Sequence, residues 1–180
     1  GVVQDPISGK TFVGALPIQT PVDPRGTNMV TANTLTATLT VVDTRHLLPN
    51  GSVNPNEDTV VAMLPCDPGC HGVQYGAKKG GGYYAYVANK FGNGMIVVDP
   101  DPNGDGDPSD AEIAGRVLLV GTGTDDTVIG NAGMGGQGVL PVPNVYNGWV
   151  QQWVEHCTTP DCTTWKGVLT AGQKNPGPVK

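Results

Sequence analysis

The stretch that decides the fold is "HGVQYGAKKGGGYYAYVANKFGNGMIVVD", residues 71–99. Short runs of β-branched and aromatic residues alternate here with Gly, Asn and Asp, the residues that favour turns. The runs "YYAYVAN" and "GMIVVD" are typical of strands, and "AGRVLLVG" (114–121) has the same composition. The pattern predicts four short strands, at roughly 72–76, 83–89, 94–99 and 115–120.

The chain repeats this pattern. "MVTANTLTATLTVVD" (29–43) is similar to "AYVANKFGNGMIVVD" (85–99), which lies 56 residues later. Two further sets of segments align at matching places in the unit. Segment 10–17 matches 58–65 and, more loosely, 114–121. Segment 20–26 matches 71–77 and 137–143. Each unit therefore has four strands, and one sheet of this size cannot bury both of its faces alone. Radial stacking of such sheets, as in a propeller, buries them.

The unit at 71–99 resembles a blade of the YVTN-type β-propellers, in which HGV, a glycine turn, YVAN and a VVD strand follow one another. The resemblance covers about residues 1–154. It implies an all-β fold made of four-stranded antiparallel blades. The relatives it implies include secreted binding propellers and the propeller domains of nitrous-oxide-reductase-like and thiocyanate-dehydrogenase-like copper enzymes. The haem-bearing propellers of nitrite reductases are more distant kin.

The register of the repeat predicts about three blades. A partial blade (1–17) precedes two complete blades (18–65 and 71–120), and a second partial blade (137–154) follows them. A C-terminal disulfide hairpin with a tail (155–180) ends the chain. Closed propellers have roughly four to eight blades. We therefore expect the chain to be part of a larger ring, whose remaining blades come from another chain or from a missing part of the same protein. The alternative is an unusually small closed ring.

The composition limits the kinds of partner the protein can bind and indicates the compartment in which it occurs. The net charge is −6 and the basic residues are scattered, which argues against nucleic-acid binding. No stretch approaches the roughly 20 apolar residues that a membrane span needs. Four cysteines in two close pairs indicate an oxidising compartment, so a periplasmic or extracellular location is predicted. Reduced thiols in a cytosolic protein are the alternative.

The acidic segment "DPNGDGDPSDAE" (101–112) fits the calcium-loop pattern D-x-[DN]-x-[DN]-G-x5-E. The predicted calcium ligands are Asp101, Asn103, Asp105, Asp107, Ser109 and Glu112, with Asp99 and Asp110 as spare candidates. The flanking sequences predict strands, whereas an EF-hand has helices. We therefore expect a structural clip without the opening motion of a calcium sensor. A solvated acidic turn is the alternative.

The segment "LPCDPGCHGV" (64–73) joins two blades and is three residues longer than the connection before it. Its Asp-Pro-Gly turn favours a disulfide between Cys66 and Cys70. A second hypothesis is a covalent c-type haem with His71 as axial ligand, although C-x-x-x-C-H is rarer than C-x-x-C-H. A third is copper, bound by His71 and by ligands from other blades. Free thiols, with an ordinary His71, complete the alternatives.

The C-terminal pair, Cys157 and Cys162, flanks a Thr-Thr-Pro-Asp turn and predicts a hairpin disulfide, with a cross-link between the two pairs as the alternative. His46 and His156 are predicted to be surface residues. The sequence has no G-x-S-x-G, H-E-x-x-H or P-loop motif. The main prediction is an exported β-propeller that acts as a binding or scaffold module and carries a structural calcium loop. The alternative is a redox or electron-transfer protein with haem or copper at the propeller face.

Overall fold

The computed structural model describes residues 2–4, 11–92, 94–119, 136–141, 145–146, 149–150 and 169–171. These residues form strands β1 (Val2–Gln4), β2 (Thr11–Val13), β3 (Pro17–Ile18), β4 (Asn28–Asn33), β5 (Thr38–Asp43), β6 (Thr59–Pro65), β7 (Cys70–Ala77), β8 (Tyr83–Asn89), β9 (Gly94–Asp99), β10 (Glu112–Leu118), β11 (Val145–Tyr146) and β12 (Trp149–Val150). A single 3-10 turn, Pro108–Asp110, interrupts the connection between β9 and β10.

Two four-stranded antiparallel sheets dominate the described part of the chain. The first sheet has the order β3-β4-β5-β6 and the second the order β7-β8-β9-β10. The prediction of an all-β fold with four-stranded antiparallel sheets is therefore confirmed. Strands β8 and β9 have the predicted bounds, but β10 begins three residues early. Its ladder with β9 continues past an irregularity between Ile113 and Gly115, so that Glu112 still pairs with Asp99.

Two shorter ladders lie at the ends of the described chain. Strands β1 and β2 pair antiparallel within the predicted first partial blade, and β11 pairs with β12 within the predicted last one. Closure of a ring and the blade boundaries stay predictions.

The repeated Asn and Asp residues occupy equivalent places in the two sheets. Asn33 and Asn89 end the second strand of each sheet, and Asp43 and Asp99 end the third. All four are buried. Since a buried polar group must find a hydrogen-bond partner, these positions fix the ends of the strands. The 56-residue repeat is thus a repeat of sheet geometry as well as of sequence.

The two sheets share one hydrophobic core. It is formed by the inward-facing residues Val30, Ala32, Leu39, Val41, Ala62, Cys70, Val73, Tyr75, Tyr83, Ala85, Val87, Ile96, Val98 and Ala111. Each large aliphatic side chain buried here contributes about 1.5–3 kcal/mol. Tyr75 crosses from the second sheet, and its buried hydroxyl donates to Asn28 Oδ1 at 2.6 Å. This hydrogen bond fixes how the sheets sit on each other.

A third segment lies along the opposite side of β7. His71 Nδ1 donates to the Gln137 carbonyl oxygen at 2.9 Å. A Cβ atom on Gly72 would overlap that same carbonyl, and one on Gly76 would come within 2.6 Å of Pro141 Cβ. The backbone of segment 136–141 therefore approaches β7 closely because β7 has glycine at both positions. The repeat predicts the first strand of the next unit at this place.

The antiparallel order gives the pair of sheets two distinct ends. The connections at one end, which we call the calcium-loop end, are 19–27, 44–58, 78–82 and 100–111. The described connections at the other, the cysteine end, are 34–37, 66–69 and 90–92. Among the described residues, no helix has the length and apolar character to span a membrane.

Candidate functional site

The acidic loop between β9 and β10 is curled by its own side chains. Each of Asn103, Asp105 and Asp107 accepts, through Oδ1, the backbone N–H two residues further on, at 2.8, 2.7 and 3.0 Å. Asp101 Oδ2 accepts the N–H of Gly106 at 3.1 Å and closes the curl. Gly106 has φ +85°, a conformation that side-chain-bearing residues rarely adopt. The turn that the calcium pattern requires is therefore present.

Carboxylates crowd this loop. The pKa of Asp110 is raised by burial first, and then by the negative charges of Asp105, Asp101 and Asp107. Two buried carboxylate oxygens, Asp101 Oδ1 and Asp110 Oδ1, have no hydrogen-bond partner among the residues that the structure describes. An unpartnered buried oxygen is costly, and a hard cation is the ligand that such oxygens take best. The donor set of the loop thus fits calcium.

Among the predicted ligands and spare candidates, Asp110 is the one on which the structure shows the charge of its neighbours, since the carboxylates of Asp105, Asp101 and Asp107 help to raise its pKa. Glu112 is exposed at the start of β10, and Ser109 is exposed beside the 3-10 turn. Their roles as ligands stay predictions. In the described part of the chain, no three Asp, Glu, His or Cys side chains are gathered into a metal-binding group.

An arginine from the first sheet reaches the acidic loop. Asp43 is fully buried, and it accepts from Arg45 Nε and Nη2 at 2.9 and 2.6 Å. Arg45 Nη1 donates to the carbonyl of Gly106, and Nη2 lies 3.4 Å from Asp107 Oδ1. Burial opposes ionisation of Asp43, but the Arg45 hydrogen bonds hold the pKa of Asp43 below its ordinary value. One cation therefore joins the two sheets and offsets part of the charge of the loop.

Sequence reasoning missed Arg45, although a signal was present. Asp43 ends an apolar strand, and a carboxylate buried there needs a nearby cation. Arg45 is two residues away in the sequence and meets that need.

Both cysteines of the first pair are free thiols in the structure. Cys70 is fully buried in the core, and its Sγ donates to the carbonyls of Asn33 and Thr38 at 3.9 and 3.7 Å. Burial, and then the neighbouring Cys70, raise the pKa of Cys66. Neutral thiols are poor nucleophiles and poor metal ligands. The disulfide between Cys66 and Cys70 stays a prediction for the oxidised protein.

The cysteine cluster does not fit covalent haem in this arrangement. Cys70 and His71 are adjacent at the start of β7, where the register with β8 is irregular between Cys70 and Val73. A thioether bond would need a porphyrin edge at the buried Cys70 sulfur, whereas His71 is turned toward Gln137.

The copper hypothesis gains no further ligand from the described residues. His71 is at the cysteine end, while His46 is at the opposite end, paired with Glu57 at 2.9 Å and 62% exposed. The prediction of a surface position for His46 is confirmed. His156, Cys157 and Cys162 lie outside the described residues.

An ion pair between a buried aspartate and an exposed arginine closes the cysteine end. Asp67 is 5% exposed and accepts from Arg116 Nε and Nη2 at 3.1 and 2.9 Å. Asn89 Nδ2 donates to the same carboxylate at 3.2 Å. A bidentate arginine and an amide together satisfy a buried carboxylate. Asp67 therefore holds the 66–69 connection against β8 and β10.

No protein-family model matches the sequence, and neither a curated protein nor a solved structure matches the chain.

Proposed function

We propose that the chain forms blades of a YVTN-like β-propeller in an exported protein, and that it acts as a binding or scaffold module. The observation that carries this proposal is the coincidence of the 56-residue sequence repeat with a repeated four-stranded antiparallel sheet. Stacked sheets of this kind bury both faces only when neighbours cover them. The remaining blades would come from another chain or from the rest of the same protein.

The acidic loop would act as a structural calcium site within this module. Its oxygen donors would be supplied by Asp101, Asn103, Asp105 and Asp110, together with the carbonyl of Asp107. Calcium would supply positive charge to the crowded carboxylates and would tie the β9–β10 connection into one conformation. No catalytic step is assigned to it.

The arrangement of the cysteine end favours a binding module over a redox protein. The pKa of Cys66 is raised, Cys70 is buried in the core, and His71 is directed at a backbone carbonyl. None of these features prepares a thiolate or an open coordination position. A location outside the cytosol rests on the paired cysteines and is tested by the disulfide content of protein isolated without reductant.

Calcium binding is tested by titration calorimetry and by thermal unfolding in calcium and in chelator. We expect calcium at 100 times its Kd to stabilise the fold by about 2.7 kcal/mol. Asp105→Asn should weaken binding by about tenfold or more, because it removes one charged ligand. Asp58→Asn is the matched control, since Asp58 lies in a different connection at the same end. Identical unfolding in calcium and in chelator would reject the calcium site.

Membership of a larger ring is tested by native mass spectrometry and small-angle scattering. We expect the chain either to assemble with further blades or to have a scattering profile of an open set of sheets. A compact monomer that matches a closed ring would overturn this part of the proposal without affecting the calcium test.

A further inference from the structure

Two connections of the chain contain the same tripeptide, Pro-Asn-Gly. One copy, 49–51, lies between β5 and β6, and the other, 102–104, lies in the acidic loop between β9 and β10. An Asn–Gly bond is prone to cyclise, because glycine has no side chain to keep its backbone nitrogen away from the asparagine carboxamide. Of the four Asn–Gly dipeptides in the sequence, these are the two that the structure describes in full.

The surroundings of the two copies are closely matched. Both asparagines and both glycines are exposed, and a Cβ on either glycine would meet nothing within 4 Å. Each carboxamide has two hydrogen bonds to the residue two positions further on. Asn50 Oδ1 accepts the N–H and the hydroxyl of Ser52 at 3.0 and 2.8 Å. Asn103 Oδ1 accepts the N–H of Asp105 at 2.8 Å, and its Nδ2 donates to Asp105 Oδ2 at 3.1 Å.

The two copies differ at the glycine nitrogen. The Gly51 N–H donates to the Leu48 carbonyl at 2.8 Å. The Gly104 N–H has no hydrogen bond within the part of the chain that the structure describes. A nitrogen whose N–H is held in a hydrogen bond must give up that bond before it can attack the carboxamide. The nitrogen of Gly104 is therefore ready to react, and that of Gly51 is restrained.

We propose that Asn103 is a site of spontaneous modification, at which water converts the carboxamide into a carboxylate through a cyclic imide with Gly104. The Gly104 nitrogen attacks Asn103 Cγ, and a new N–Cγ bond closes the imide. The Cγ–Nδ2 bond breaks, and Nδ2 leaves as ammonia with the amide proton of Gly104. Water then opens the imide at one of its carbonyl carbons. Opening at Cγ gives aspartate, and opening at the backbone carbonyl carbon gives isoaspartate.

Mass spectrometry of the full chain, aged in chelator at mildly alkaline pH, tests the proposal. Trypsin releases 91–116, and fragmentation of this peptide assigns the replacement of an amide by an acid to position 103. In the folded protein we expect Asn103 to react about fivefold faster than Asn50, the ratio that corresponds to the net strength of one hydrogen bond. In urea the two rates should be similar, since the reacting tripeptide is the same.

Two variants confirm the position and the route. Asn103→Gln should abolish the reaction at position 103, because the glutamine carboxamide is one methylene further from the chain. Asn50→Gln is the matched control and should leave the rate at Asn103 unchanged. No reaction at Asn103, or a rate in the folded protein no greater than that of Asn50, would overturn the proposal. A rate ratio that persists in urea would also overturn it, because the hydrogen bond to Leu48 would then not be the cause.

The consequence for calcium rests on the proposed function of the loop. Isoaspartate adds a carbon to the main chain after position 103, whereas the curl needs each side chain to accept the N–H two residues further on. We expect fully modified protein that contains isoaspartate to bind calcium about tenfold or more weakly than fresh protein, since the geometry of the loop sets the Kd. Asn103→Asp adds the charge without lengthening the chain, so it should bind calcium at least as tightly as wild type.

Titration calorimetry of the fresh, aged and Asn103→Asp proteins measures these affinities. Isoaspartate-containing protein with the affinity of fresh protein would overturn the regulatory part of the proposal. If neither fresh protein nor Asn103→Asp binds calcium, the proposed calcium site fails, while the mass measurements still decide whether Asn103 is the modified residue.

Discussion

The two ends of the paired sheets each contain an ion pair between a buried aspartate and an arginine, but the two arginines differ in exposure. At the calcium-loop end, the Arg45 side chain is 9% exposed and reaches across to the other sheet. At the cysteine end, the Arg116 side chain is 41% exposed and reaches from β10 to Asp67 in the connection between β6 and β7. The same pair chemistry therefore serves two purposes: Arg45 joins the sheets, and Arg116 covers a connection.

Among the variants of these two ion pairs, Arg45→Ala should lower the free energy of unfolding the most. It leaves the fully buried Asp43 with Asn54 and one backbone N–H as partners, and it removes the link to the acidic loop. An uncompensated buried charge costs about 3–5 kcal/mol of the free energy of unfolding. Urea denaturation at pH 7 measures this loss. The double variant Asp43→Asn/Arg45→Ala should recover most of it, and a double variant no more stable than the single one would contradict the charge argument.

The pH dependence of this effect has a definite sign. Because the folded pKa of Asp43 lies below the ordinary 3.8, its stabilising contribution is present above that value and is lost as the pH falls through the folded pKa. The difference between wild type and Arg45→Ala should therefore be constant around neutral pH. It should begin to shrink above pH 3.8, because burial without Arg45 would raise the pKa of Asp43 in the variant, and it should vanish as the pH falls through the wild-type folded pKa.

Arg116→Ala should cost less, about 1 kcal/mol, because half-exposed ion pairs are screened by water. Asn89 would still donate to the Asp67 carboxylate. Arg116→Lys keeps the charge but loses the two-point geometry, so it should recover part of the loss. Urea denaturation of the three proteins measures both steps. A loss as large as that of Arg45→Ala would remove the contrast between the two ends.

Asp110→Asn should change the free energy of unfolding the least, and it should raise that energy in chelator, whereas the arginine variants lower it. In chelator it relieves repulsion among the loop carboxylates, so the unfolding free energy should rise by up to about 0.5 kcal/mol. In calcium the order should reverse, because the variant lacks a charged oxygen. Thermal unfolding in the two conditions measures this crossing. A variant that is less stable than wild type in chelator would show that Asp110 does not oppose its neighbours.

The periodic part of the fold could be predicted from the sequence. Strands β8 and β9 follow from apolar runs bounded by turn residues, and the paired Asn33/Asn89 and Asp43/Asp99 follow from the repeat. Local sequence determines these features, because each depends on residues within one sheet. The curl of the acidic loop was predictable for the same reason, since its hydrogen bonds join residues two to five apart.

Features that join the sheets were beyond the sequence. Arg45 contacts Gly106, which is 61 residues away in the sequence, and no local pattern predicts that contact. Tyr83 belongs to an ordinary apolar run, and no local pattern indicates that the Arg25 guanidinium lies 5.8 Å from the centre of its ring. Cys70 is similar: the C-x-x-x-C-H spacing indicates reactive chemistry, whereas packing places its sulfur in the core.

The glycines at positions 72 and 76 limit which segments of backbone can lie against β7. Whatever backbone lies against β7 must present a carbonyl where Gln137 does and a compact ring where Pro141 does, since a single methyl group at either glycine would push it away. Alanine at Gly72 should push segment 136–141 away from β7, because its Cβ would lie 2.3 Å from the Gln137 carbonyl oxygen, while the ladder between β7 and β8 stays intact. The absence of side chains at these two glycines thus determines how closely segment 136–141 can lie against β7.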